Sequence, residues 1–252
     1  MCALGHYLEA EGVATTLIGL VRKHCETMRP PRALWVPHEL GRPLGAPNNP
    51  ALQRATLMAA LDLLVADGSP SLIADFDREA PPEEDWQCRF ETAPVARWPV
   101  DPIEAGRLLQ AEFRRVIPWH QRARTRLGHT TVGLAGLAEE TIGDHIAAAH
   151  IAAASGKDLP ASPIRGLHRA QALRFAVDDL KACYMEAAAA AGGQPSSRQI
   201  NDWFWRQTVA GQALFALRES CMRCQDNVVR ETGGHSLIPE AYLQQHGGAD
   251  PD

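Results

Sequence analysis

The sequence predicts an α/β protein: a partial doubly wound parallel sheet at the N-terminus, over residues 1–73, followed by a mainly helical C-terminal region over residues 101–252. Three observations carry this. A short apolar strand, a rigid loop and a helix follow one another between Arg29 and Gln53. An acidic, proline-containing stretch without periodicity over residues 74–100 reads as a linker. Beyond it, apolar residues recur at steps of three and four, the mark of helices with one buried face.

With 252 residues, 45% hydrophobic and 22% charged, the chain has the make-up of one large globular domain or two small ones. Its formal net charge of -5 gives no global attraction to nucleic acid or to an acidic membrane surface. No apolar run reaches the ~18 uncharged residues of a membrane span. Met1 to Glu11 lacks the basic start and apolar middle of a secretion signal, and a cytoplasmic location is expected. Six scattered cysteines make no disulfide framework and suit a reducing compartment.

A helix is expected to Glu11, a strand from Val13 to Gly19 and a short helix from Leu20 to Met28. The next strand is Arg32 to Pro37, whose Ala33-Leu34-Trp35-Val36 core is continuously apolar. Pro37, Gly41, Pro43, Gly45 and Pro47 stiffen the loop that follows, leaving His38, Glu39, Arg42, Asn48 and Asn49 as its functional side chains. Asn49 suits an N-cap and Pro50 the first helical position, with Leu57, Leu61 and Leu64 expected to form the buried face. Parallel strands with right-handed crossovers result. A sheet of two or three such strands must be completed from elsewhere, by preceding strands or by a dimer.

Pro31-Arg32-Ala33, Val36-Pro37, Gly45, Pro47-Asn48-Asn49 and Gln53, with Leu8 to Val13 upstream, resemble the matching stretch of the selenoprotein B family, subunits of glycine, sarcosine, betaine and D-proline reductases. Asp178 to Ala182 and Asp202-Trp203-Phe204-Trp205 resemble longer relatives of that family. The resemblance implies reductive cleavage of a carbon–nitrogen bond in an amino acid or betaine-like substrate by a selenolate or thiolate. The family's selenocysteine or cysteine motif opens the helix that Met1 to Glu11 occupies here, so the nucleophile would lie upstream of Met1. A selenocysteine codon read as a stop, or a split or decayed gene, would explain such a start. Cys2 is a substitute redox candidate, although it falls late for the family's second cysteine. Arg42 is then a candidate for holding a substrate carboxylate, and His38 or Glu39 for moving a proton. Asn48 and Asn49 complete the substrate-binding candidates.

In the C-terminal region, Asp101-Pro102-Ile103-Glu104 is a strong helix start, and the helix is expected to run to Leu127 with a kink at Pro118. Its six arginines, from Arg107 to Arg126, carry an anion-binding reading that Glu104, Glu112 and the acidic chain oppose. Helices are expected over Ala138 to Ala154 and Gly166 to Ala191, the latter buried through Leu173, Val177, Leu180, Tyr184 and Ala187. One long last helix is expected from Ser196 past Arg218, with Trp203, Ala210, Leu214, Leu217, Cys221 and Cys224 on one side. Cys221 and Cys224 are redox candidates, or half of a zinc site with His235, yet both continue the apolar stripe as core cysteines would. No histidine pair has metal-ligand spacing, and no metal is expected. No cofactor is expected in this chain beyond the selenocysteine of an upstream segment. Nucleotide-binding loops and the nucleophile elbow are missing. The expected partners are other reductase subunits or a dithiol reductant protein, in a homo- or hetero-oligomer, with neither nucleic acid nor membrane. The alternative is a non-catalytic binding or assembly subunit.

Overall fold

The computed structural model describes residues 2–38, 42–66, 71–78, 86–92, 94–193 and 195–246. It has two compact units: Met1–Glu84 with Ser196–Arg198, and Asp85–Pro195 with Gln199–Asp252. The fold is a mixed α/β one, with a small parallel sheet first and helices after it.

The first unit runs α1 (Cys2–Ala10), β1 (Leu17–Gly19), α2 (Arg22–Met28), β2 (Arg32–Trp35), α3 (Pro50–Asp62), a 3-10 turn (Leu63–Val65) and β3 (Leu72–Asp75). The strands lie in the order β1-β2-β3, all parallel, with Leu17 opposite Ala33 and Ala33 opposite Ile73. Parallel neighbours cannot be joined by a tight hairpin, so helices α2 and α3 supply the crossovers. Strand β3 runs to Asp75, two residues into the stretch read as linker, and Phe76 is buried with Leu34, Val36, Leu52 and Ala60. Asn49 caps α3 as expected, its side chain accepting from the Leu52 N–H at 3.0 Å. The expected buried face of α3 is corrected: Leu57 and Leu61 are exposed, and Leu52, Thr56 and Ala60 face inward. Two of those three are small, which lets the helix sit close to its neighbours, and the Thr56 hydroxyl is satisfied by the Leu52 carbonyl at 3.0 Å.

The second unit contains α4 (Pro102–Leu127), a 3-10 turn (Glu139–Thr141), α5 (Ile142–Ala154), α6 (Arg169–Ala190), the greater part of α7 (Ser197–Gln207), α8 (Val209–Met222), α9 (Asn227–His235) and α10 (Glu240–His246). Asp101 caps α4 and Gly128, at φ 74, ends it; the helix passes through Pro118 without interruption. Every residue of the expected α6 stripe is fully buried. Ahead of α4, Phe90 packs on Trp203 and Trp119 with ring centroids 5.3 and 5.7 Å away, and Trp86 meets Trp203 edge-on. Aromatic anchors therefore tie part of the presumed linker to the helical core.

The single long last helix is also corrected. It breaks at Thr208, whose extended backbone separates α7 from α8 and whose hydroxyl accepts from the Gly211 N–H at 2.9 Å while donating to the Phe204 carbonyl at 2.6 Å. Gly211 allows the tight turn, because a Cβ there would stand 2.5 Å from the Phe204 carbonyl oxygen. Among the described residues no helix is long and apolar enough to cross a membrane.

Alanine normally stabilises a helix relative to glycine by ~0.5–1 kcal/mol. Gly234→Ala, with nothing within 4 Å of the added methyl, should show that gain in urea unfolding. Gly211→Ala should lose about 1–3 kcal/mol instead, since its methyl meets backbone.

Candidate functional site

At the carboxyl end of β2 the chain enters the loop that sequence reading singled out. Such strand ends are where open parallel sheets hold ligands. His38 is half-buried and lies edge-on to Phe76 at 6.1 Å. Gly45, at φ 88, brings the loop back against that imidazole: a Cβ would be 3.1 Å from the ring and 2.7 Å from Leu52 Cδ2. Asn48 takes the left-handed conformation at φ 56 and is exposed. The Asn49 oxygen is engaged at the helix cap, and Gln53 Nε2 donates to the Ala46 carbonyl at 3.0 Å. Arg42 Nη1 donates to Ser197 Oγ at 2.7 Å, inside the first unit. Glu39 lies outside the described residues.

The neighbouring strand ends are charged. Arg22, at the start of α2, reaches Asp75 at 2.6 Å and Glu26 at 2.8 Å and lies over the Trp35 ring. His38 and Arg22 thus follow β2 and β1, and Asp75 ends β3, all at the carboxyl end of the sheet. Sequence reading missed the Arg22–Asp75 pair, since residues so far apart carry no spacing signal.

In the helical unit, three carboxylates are buried or nearly so and each holds backbone. Glu112 of α4 accepts from the Val209 and Ala210 N–H groups, both at 3.0 Å, and from the Tyr184 hydroxyl at 2.9 Å. Burial pushes its carboxyl above the ordinary range, although those donors pull the other way. Burial, with Glu112 beside it, pushes the Tyr184 phenol up as well. Asp179 of α6 accepts from three consecutive N–H groups, Gly133, Leu134 and Ala135, at 2.9–3.0 Å. Glu186, two turns further on, accepts from the Thr131 N–H at 2.7 Å and from the Thr130 and Thr131 hydroxyls. His120, fully buried, has Glu139 at 2.7 Å from Nδ1 and Glu186 at 3.0 Å from Nε2. The sequence signal for this cluster was available: Glu112 and His120 interrupt the apolar side of α4 that Leu109, Phe113 and Val116 form. Glu112 holds the start of α8, and Asp179, Glu186 and His120 pin the segment before α5; these are structural tasks.

Cys221 and Cys224 are poorly placed for thiolate chemistry, which needs a lowered pKa. Cys221 is fully buried, burial pushes its thiol up to about 12, and it packs under Gly233 of α9. Cys224 is half-buried, its thiol is raised by burial and by Asp226, and its Sγ lies 3.5 Å from the Ser220 carbonyl. His235 is exposed, and among the described residues no group of three or more His, Cys, Asp or Glu side chains could hold a metal ion. Cys2 is half-buried at the start of α1. On the outer face of α4, Pro118, Gln121, Arg122, Thr125 and Arg126 line a shallow groove of about 460 Å³.

Glu186 gives a pH-dependent test. Burial alone would raise its carboxyl, but the hydrogen bonds from Thr131, Thr130 and His120 outweigh burial and hold it below the ordinary range. A depressed folded-state pKa stabilises above the unfolded value, and that stability is lost as pH falls through the folded one. Glu186→Gln should therefore cost about 1.5–3 kcal/mol at neutral pH, with the gap to the parent closing below about pH 4 in urea unfolding.

Comparison of the chain with protein-family models, with curated proteins and with solved structures yields no match.

Proposed function

We propose that the chain is a subunit or fragment of a selenoprotein B-like reductase, in which the loop from Pro37 to Asn49 receives an amino acid or betaine-like substrate. One observation supports this reading above the rest. The residues that carry the resemblance are those that hold the loop: Gly45 and Asn48 take positive φ, Asn49 caps α3 and Gln53 ties the helix back to Ala46. Residue types that set a loop's backbone are those that two chains with the same loop would share, which is why this supports the reading. In this reading the three parallel strands are one part of a doubly wound sheet in a cytoplasmic assembly. Arg42 holds the substrate carboxylate with its planar fork and His38 handles a proton at the strand end. A selenolate or thiolate from outside the chain attacks carbon and displaces the amine, which leaves protonated. A thiolate of a dithiol protein then attacks the chalcogen, and the carbon departs and takes a proton as the reduced product. The second thiol of that protein attacks the mixed chalcogen–sulfur bond, closing a disulfide on the dithiol protein and restoring the chalcogenolate.

A second reading, a non-catalytic binding or assembly subunit, has its own support. The cysteines whose thiols are shifted, Cys25, Cys88, Cys183, Cys221 and Cys224, are all raised by burial. Leu57, Met58, Leu61 and Val65 also stand exposed along α3 and the turn after it. Apolar side chains at that spacing suit an interface.

Saturation-transfer NMR with glycine, sarcosine, betaine and D-proline separates the two. The reductase reading expects at least one to bind, with Arg42→Ala weakening it about tenfold or more, the worth of a charge-assisted pair, and Arg42→Lys weakening it less. Binding by none of the four, or binding indifferent to Arg42, leaves the assembly reading.

A further inference from the structure

We propose that the outer face of α4 is a docking surface for an acidic helix of a partner protein, one that carries carboxylates at seven-residue steps. This rests on α4 alone and on neither reading of the loop.

The face is built on a repeat. Ala111, Pro118 and Thr125 follow one another at steps of seven and are all exposed, so they form one low row along the helix. Arginines flank that row. Arg107 and Arg114 stand seven apart on one side, and Arg115 and Arg122 seven apart on the other, with Arg126 a turn beyond; all five are exposed. At 1.5 Å per residue they extend over about 28 Å. Pro118 and Thr125 line the shallow groove together with Arg122 and Arg126. Small side chains in the row let a second helix lie close between the arginines.

Glu112, which interleaves with these arginines in the sequence, does not oppose them in the fold. It is fully buried, and the Val209 and Ala210 N–H groups and the Tyr184 hydroxyl engage it. Glu104 shares the outer face, but only in the first turn. Among the described residues Arg107, Arg114, Arg115 and Arg122 have no ion pair, and Arg126 meets the Ala190 carbonyl at 3.2 Å. Arg124, on the other side of the helix, has Glu139 at 3.8 Å. Like charges a turn apart destabilise a helix, and an anionic occupant relieves that repulsion.

Two observations choose a helix over a nucleic acid. A neighbouring helix has the same rise as α4, so carboxylates seven residues apart recur about every 10 Å, as these arginines do. One strand of a duplex offers a phosphate about every 3.4 Å of its axis instead. Trp119, the aromatic ring beside the face, has no open side for a base: Phe90 lies 5.7 Å from it and the Arg122 guanidinium lies over it at 5.2 Å. The net charge of -5 also repels a long polyanion beyond the local face.

The test follows the fluorescence anisotropy of a labelled peptide added to the full chain at low salt. The peptide has three seven-residue repeats, with glutamate at the first and fifth places of each and alanine, leucine and glutamine elsewhere. A peptide of the same composition with its glutamates off the repeat, and an oligouridine of similar charge, are measured beside it. The repeat peptide should bind about fivefold or more tighter than either, and raising the salt tenfold should weaken it. Arg107→Glu with Arg114→Glu should weaken it about tenfold or more at unchanged helical circular dichroism, whereas Arg124→Gln should change it less than about twofold. Equal binding of the rearranged peptide, equal or tighter binding of the oligouridine, or no binding of the repeat peptide at low salt overturns the proposal. So does a doubly substituted chain that binds as the parent does.

Discussion

A backbone N–H that is taken out of water must find an acceptor, and in the helical unit this requirement decides where the chain can turn. The first N–H groups of α8 lie inside the core, where no solvent can serve them. Glu112 reaches them from α4, and the same carboxylate takes the Tyr184 hydroxyl from α6. One buried side chain thereby binds three helices. The cost is the ionisation of a carboxyl out of water, seen in its raised pKa, and the partial positive charge of a helix N-terminus offsets it. Asp179 repeats the device with three consecutive N–H groups of a loop rather than a helix. A neutral side chain could accept from one or two of these donors, whereas a carboxylate has lone pairs for all of them.

The first unit meets the same requirement with smaller means. Its loop between β2 and α3 is half-exposed, so water can serve part of the backbone and single side chains do the rest: Asn49 for the helix cap, Gln53 for the Ala46 carbonyl. Glycine enters where two parts of the chain must touch. Gly45 lets the loop close on His38 and Leu52, and Gly19 makes way for Cys25. These are approaches that no side chain would permit.

Local features of the fold were legible in the sequence and remote ones were not. The Asp101 and Asn49 caps, the Gly128 stop and the α6 stripe are decided within a few residues, and each was found where capping and periodicity place it. The break at Thr208 was hidden because Trp203, Ala210, Leu214 and Leu217 keep a helical rhythm across it. What interrupts the helix is a carboxylate far earlier in the chain, satisfying the donors that a continuous helix would have used internally. The exposed face of α3 was misread for a related reason: leucines announce a buried face, but the contact with the sheet was made by Thr56 and Ala60, whose smallness matters more than their hydrophobicity. Of the loop side chains, His38, Arg42 and Asn48 could be named from composition, whereas their neighbours at the strand ends, Arg22 and Asp75, are brought together only by the strand order.

The two units differ sharply in how much each buries for itself. The helical core is continuous and rich in aromatic contacts centred on Tyr184, Trp203 and Phe204. The sheet's own cluster of fully buried side chains is Leu34, Val36, Leu52, Ala60 and Phe76. A parallel sheet is normally covered on both faces and continued at its edges, because its backbone and its apolar strands have no other shelter. Here β1 and β3 each pair only with β2 among the described residues, and none of the four residues of β3 is fully buried. So small a core leaves little margin over the conformational entropy of ordering the chain. Further apolar surface, against a strand edge or against the outward leucines of α3, would add to the burial of this unit. That demand holds for a reductase subunit and for an assembly subunit alike, which is why oligomerisation by itself cannot decide between them, and substrate binding at the loop can.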